Sequence, residues 1–205
     1  ADGRRLAQQH KRLLDVIEQR FGVSRYIVLA IWSMESSYGK ALEKPGSLKH
    51  VPQALATLAY LDERRAGFAR QQLIGALKIV QAGHVSPKGL TGSWAGAMGH
   101  TQFIPTSYLA YAVDMDGDGR ADIWNSVPDA LATAANLLRD NGWRPGQTWG
   151  YEVQPPQGRN IQSLDRANKT IGEWERLGFA RVGGRAFPDR SQNANLVMPE
   201  GPNGP

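Results

Sequence analysis

The chain contains no cysteine, so a disulfide framework, a thiolate zinc site and a cysteine nucleophile are all excluded, although an oxidising compartment is not. Long apolar runs are missing too. The longest, Tyr26 to Trp32, is far shorter than the roughly 18 residues a membrane helix needs, so the chain reads as soluble and no membrane anchor is visible in it. There is no internal repeat and no heptad. What is present is 41% apolar residues in a chain of 205, enough for one substantial core or two small ones, which excludes chain-wide disorder and a collagen-like fibre. Twenty-four Lys plus Arg against nineteen Asp plus Glu give a net charge of +5, which favours acidic polymers as partners. Lys and Arg are scattered and no recognition helix is evident, so the charge does not point to nucleic acid.

Arg4 to Arg20 carries Leu6, Leu13, Leu14 and Ile17 on one helical face, and Phe21-Gly22 supplies a stop. Ser24 is placed to cap a second helix running to Glu35, with Gly39 beyond its end. That helix is apolar nearly all round and is expected to be the central buried one. Helical patterns continue over Pro52 to Leu61, Phe68 to Ala82, Pro105 to Ala112, Pro128 to Asp140 and Ser163 to Leu177, and nothing between Arg4 and Asp140 alternates as a strand. The glycines from Gly83 to Gly99 mark a loop whose backbone lies close to something else. The expected architecture is a mainly α-helical core over residues 1–143, followed by an irregular part over 144–205 with a short strand at Tyr151 to Val153 and a Pro/Gly-rich tail from Pro199.

Glu35 follows Trp32 by three residues, Ile31 by four and Val28 by seven, which places a carboxyl on an apolar helix face. Held against Trp and Ile, its charged form would be disfavoured and it could serve as a general acid. The plainer reading is that Glu35, near the helix end, points to solvent or pairs with an arginine. Glu43, Asp62 and Glu63 sit in polar contexts, so no second acid stands out beside it. His10, His50, His84 and His100 lack a mutual ligand spacing and receive no role.

Asp114, Asp116 and Asp118 occupy positions 1, 3 and 5 of a loop over residues 114–125, Gly119 the sharp-turn position 6, Arg120 the carbonyl position 7 and Asp122 position 9. This is the EF-hand oxygen pattern, suited to Ca²⁺. Position 12 is Asn125 in place of the bidentate Glu, and Asp129 is the candidate replacement, although Ser126-Val-Pro-Asp129 also reads as a capping box.

Met34-Glu-Ser-Ser-Tyr-Gly39, then Gly92-Ser-Trp-Ala-Gly-Ala-Met-Gly-His-Thr-Gln-Phe-Ile-Pro-Thr-Ser-Tyr108, then Asp114-Met-Asp-Gly-Asp-Gly-Arg-Ala-Asp-Ile-Trp124 together resemble the lytic murein transglycosylase B family, glycoside hydrolase family 103. The resemblance is strong through Trp143 and weaker beyond. It implies a lysozyme-like α-helical core acting on peptidoglycan glycan strands, with Glu35 as sole acid/base and one structural calcium at the acidic loop. It also implies sugar-groove positions at Ser93 and Gln102, with Met98, Phe103 and Tyr38 at neighbouring matched positions. The residues themselves allow a turn role for Ser93, a cap for Gln102 and core packing for Met98 and Phe103.

The implied reaction is non-hydrolytic cleavage of the MurNAc-GlcNAc β-1,4 bond to 1,6-anhydromuramoyl ends, a lyase activity in the periplasm or bacterial cell envelope, with no organic cofactor. A lysozyme-type muramidase and a catalytically silent peptidoglycan-binding module are the alternatives. Members of the family carry an Arg-Tyr-Asn-like motif walling the groove, which these residues lack, and Leu137 stands where some relatives have an aromatic residue. The C-terminal part is therefore expected to be shortened relative to the family. No protein partner in a wall-synthesis or secretion complex is assigned.

Overall fold

The first helical pattern is interrupted at His10, so that α1 (Asp2–Gln9) and α2 (Lys11–Phe21) replace the single helix expected from Arg4 to Arg20. The structure, a computed structural model, describes residues 2–44, 46–158, 160–199 and 201; of the expected irregular tail, only Pro199 and Gly201 fall among them. The chain divides into two compact units, residues 1–145 and 146–205, against an expected break after 143.

In the first unit α3 (Arg25–Ser36), α4 (Val51–Leu61), α5 (Ala66–Gln81), α6 (Pro105–Tyr111) and α7 (Val127–Asp140) follow the expected helical patterns within a few residues. Proline occupies the first turn of α4, α6 and α7, where its missing N–H costs no hydrogen bond. A ribbon of β1 (Lys49–His50) and β2 (Thr91–Gly92) pairs antiparallel, Lys49 opposite Gly92. Two residues per strand are too few to show an alternation, so no strand was expected here.

Two apolar clusters build the unit. One gathers Val51 and Leu55 of α4, Ile79 of α5, and Leu90, Met98 and Ile123 from the connecting segments. The other gathers Leu14 and Ile17 of α2 with Val28, Leu29 and Trp32 of α3. Helix α7 joins them, with Ala130 and Ala134 in the first and Leu131, Ala132 and Ala135 in the second. The central buried helix is therefore α7, a correction to the expectation for α3. Small alanine side chains let neighbouring helices approach α7 from both sides, whereas α3 keeps Tyr26 at 71% and Met34 at 86% exposure.

In the second unit α8 (Ile171–Arg176) is far shorter than the helix expected over Ser163 to Leu177. Thr170 caps it reciprocally with Glu173, which fixes the start eight residues beyond Ser163. Two ribbons flank it, β3 (Val153–Gln154) with β5 (Ala180–Arg181) and β4 (Asn168–Thr170) with β6 (Asn193–Asn195). Ile161, Trp174 and Phe179 form a separate small core.

Candidate active site

Helix α3 ends in a turn of unusual backbone: Ser37, Tyr38 and Gly39 all have positive φ, at 52°, 60° and 88°. Non-glycine residues in the left-handed region cost energy that surrounding contacts must offset, and here the contacts are specific. The Ser36 hydroxyl, almost fully buried, accepts from the Gly39 amide at 2.9 Å and donates to the His100 carbonyl at 2.7 Å. The Trp32 indole N–H donates to His100 Nδ1 at 3.1 Å, and the His100 amide donates to the Ile123 carbonyl at 3.0 Å. A β-carbon on Gly39 would stand 2.5 Å from His100 Cε1, so the turn closes directly on that ring. Spacing between histidines cannot reveal a partnership with a tryptophan, so the role of His100 is not legible in the sequence.

Glu35 lies in the last turn of α3, just before this turn, and is exposed. This corrects the expectation of a buried acid held against Trp32 and Ile31. The buried arc of α3 runs through Val28, Leu29, Trp32 and Ser36, and a 100° step per residue leaves Glu35 on the edge of that arc. Among the described residues the carboxyl has no hydrogen-bond or ion-pair partner. Of the other acids, Asp62 is paired with Arg65 at 2.6 Å, and hydrogen bonding to that guanidinium holds its carboxyl below the usual range.

The expected sugar-groove residues separate. Ser93 accepts from the Ala97 amide at 3.0 Å and the Ala95 amide at 3.3 Å, a turn role that leaves its hydroxyl proton available. Gln102 adopts φ 53° and its Nε2 donates to the Gly99 carbonyl at 2.9 Å, leaving Oε1 without a donor among the described residues. Tyr38 is half-buried, edge-on to Trp32 at 5.5 Å. Met98 is fully buried and Phe103 nearly so, both within the first apolar cluster. The expectation that Met98 touches sugar is corrected: no surface of it is accessible.

Two concavities lie on this unit. One of about 570 Å³ is bordered by β1, α4, Arg65 and Trp94, with the Arg65 guanidinium 4.9 Å over the Trp94 ring. The other, of about 350 Å³, is bordered by Gly39, Glu43, His100 and Trp124. Glu35 borders neither.

At the acidic loop, carboxylate oxygens of Asp114, Asp116 and Asp129 come within 4.8 Å of one another. Asp118 is instead turned to Arg120, and Asp122 caps the amides of Trp124 and Asn125. Asp129 is fully buried at the start of α7 and accepts from the amides of Met115 and Asp122, both at 2.8 Å. Burial pushes its acid upward, and the amide donors oppose that shift. No cation among the described residues pairs with these three carboxylates, so the donor set is hard, negative and uncompensated, which suits a divalent cation such as Ca²⁺. Ser126 caps α7 by accepting from the Asp129 amide, but the Asp129 side chain turns to the loop and the reciprocal half of the capping box is absent.

The Transglycosylase SLT domain matches residues 1–205. The chain belongs to that family. The SLT domain is 37% identical over 138 residues to membrane-bound lytic murein transglycosylase B of Escherichia coli K12, covering 67% of this chain and 37% of that protein. It superposes with a TM-score of 0.87 on SltB3 of Pseudomonas aeruginosa in complex with NAG-NAM-pentapeptide, at 45% identity, over 97% of this chain and 52% of that one. Slt35 of Escherichia coli in complex with calcium gives a TM-score of 0.80 at 28% identity, over 95% of this chain and 60% of that one. The SLT domain thus spans between 37% and 60% of the length of these relatives. Its mainly helical, lysozyme-like fold is the one expected from the sequence.

Proposed function

We propose that this domain is a lytic transglycosylase cleaving the MurNAc-GlcNAc β-1,4 bond of peptidoglycan, with Glu35 as its single acid/base. The observation that carries the reading is an exposed carboxyl without a partner among the described residues, held on a braced helix end, in a chain of the Transglycosylase SLT domain family. Glu35 protonates the glycosidic oxygen as the bond breaks, and the substrate's N-acetyl carbonyl stabilises the cationic centre. The resulting carboxylate then takes the proton of the muramic C6 hydroxyl, whose oxygen attacks C1 and closes the 1,6-anhydro ring. A glycan laid over the exposed carboxyl displaces water from it and supplies the desolvation that the free protein lacks. The Ser93 hydroxyl proton and Gln102 Oε1 are the groups left available to hold sugar hydroxyl and N-acetyl groups, and Tyr38 and the rim of Phe103 are further candidates for the groove.

Asp114, Asp116 and Asp129 would hold a calcium ion, with the Arg120 carbonyl, Asp118 and Asp122 as further candidates. The ion would neutralise the loop and tie it to α7. The relatives' substrates support placement in the periplasm or cell envelope; no helix among the described residues is long and apolar enough to cross a membrane.

Mass spectrometry of muropeptides released from purified sacculi tests the reading, with Glu35→Gln as control. Anhydromuramic ends from the wild type alone support it. Reducing ends would make the domain a muramidase, and binding without products would make it a recognition module.

A further inference from the structure

The end of α3 that carries Glu35 is hydrogen-bonded to the segment after β2 through His100. His100 receives the Trp32 indole proton on its ring and the Ser36 hydroxyl proton on its carbonyl, and its own amide is fixed to Ile123. Trp32 and Ser36 lie on either side of Glu35 along α3, and the ring of His100 fills the space against Gly39. An indole N–H can only donate, so His100 Nδ1 is unprotonated and its proton resides on Nε2.

We propose that His100 is a positioning residue for Glu35, and that protonation of its Nδ1 breaks the ring's hydrogen bond to α3 and switches the activity down. The inference rests on the reading of Glu35 as the acid/base. An imidazolium has no acceptor to offer Trp32, so it must reject the indole proton, and the coupling between ring and helix is lost. Several groups face this ring or its partner. Burial disfavours the charged imidazole most strongly, the Asp122 and Glu43 carboxylates favour it, and His10 stands edge-on to Trp32 at 5.7 Å. Tyr38 stands edge-on to the same indole. The switch therefore operates below the usual imidazole range. Positioning of an acid by a hydrogen-bonded neighbour acts on turnover more than on substrate affinity.

The test uses the intact chain. The Trp32 indole ¹H–¹⁵N resonance, identified by its loss in Trp32→Phe, is followed through an acid titration, and kcat and KM are measured on soluble glycan strands over the same range. The expected result is an indole shift whose midpoint coincides with the acid limb of kcat. His100→Leu should lower kcat about tenfold with KM changed less than twofold and should abolish that limb. His100→Gln, which restores an acceptor, should recover most of the loss seen in His100→Leu and remain flat in acid. An indole resonance that does not titrate, or a His100→Leu enzyme with wild-type kcat and an unaltered acid limb, overturns the proposal. An active Glu35→Gln enzyme overturns it by a different route, since the functional reading then fails while the indole titration is untouched.

Discussion

The backbone of Gly99 lies so close to that of Ile123 that a β-carbon on Gly99 would stand 2.4 Å from the Ile123 carbonyl oxygen. The same carbonyl accepts the His100 amide, so this approach joins the segment carrying Ser93 and Gln102 to the end of the acidic loop. Gly99 also has a φ of 66°, which any other residue adopts at a cost. Gly99→Ala should therefore lose about 3 kcal/mol of stability, by combining left-handed strain with a backbone clash. Urea unfolding measures it. A loss below about 1 kcal/mol would mean that the two segments separate easily and do not brace one another.

The acidic loop should be a stability element. With Ca²⁺ at a hundredfold excess over its dissociation constant, binding to the folded state alone contributes about 2.7 kcal/mol, or about 5–10 °C in Tm for a domain of this size. Asp129→Asn should remove that response, because Asp129 is the one buried oxygen donor of the cluster. Calorimetry with calcium and with chelator separates the cases. A calcium-dependent rate in a protein whose Tm does not respond to calcium would assign the ion to chemistry.

The sequence made much of this legible, and the misreadings share a cause. The oxygen pattern at Asp114 and Asp116 pointed to a cation, and Asp129 was singled out because Asn125 could not close the loop. The helical periods of α4, α5 and α7 are legible because each repeats over three turns or more. What failed depended on which neighbour a face meets. Glu35 was placed on an apolar stripe, but the stripe that is buried is centred on Val28, Trp32 and Ser36, and one step around the helix separates a core position from a rim position. Likewise α3 has the stronger apolar character, yet α7 is the helix surrounded on both sides, because alanines permit close approach. The tie between Trp32 and His100 spans 68 residues, a distance over which no local pattern operates.

Two imidazoles border Trp32, with ring centroids at 5.7 Å for His10 and 5.8 Å for His100. Burial holds both below the ordinary value, which is about 6.5. The folded state then binds fewer protons than the unfolded state between the lowered values and the ordinary one, so stability rises with pH through that window and is lost as pH falls through it. Unfolding free energies measured across this range should decline in acid, and the decline should shrink in His10→Gln and again in the double variant with His100→Gln. A slope that both variants leave unaltered would assign the acid sensitivity to carboxylates.

Met98 and Gln102 stand four residues apart with the same implied role, and the structure gives them different ones. Met98 is fully buried among Val51, Leu55 and Ile123, so Met98→Ala should leave a cavity and cost about 2–4 kcal/mol. Its KM for soluble glycan strands should stay within twofold below the unfolding temperature. Gln102 is half-buried with a free acceptor, and Gln102→Ala should cost about 1 kcal/mol of stability while raising KM about tenfold, the loss of one hydrogen bond to the sugar. Denaturant unfolding and steady-state kinetics on the two variants distinguish the roles. A raised KM in Met98→Ala with unchanged stability would return Met98 to the groove, and it would require the 98–103 segment to open enough to expose a side chain that is sealed in the free domain.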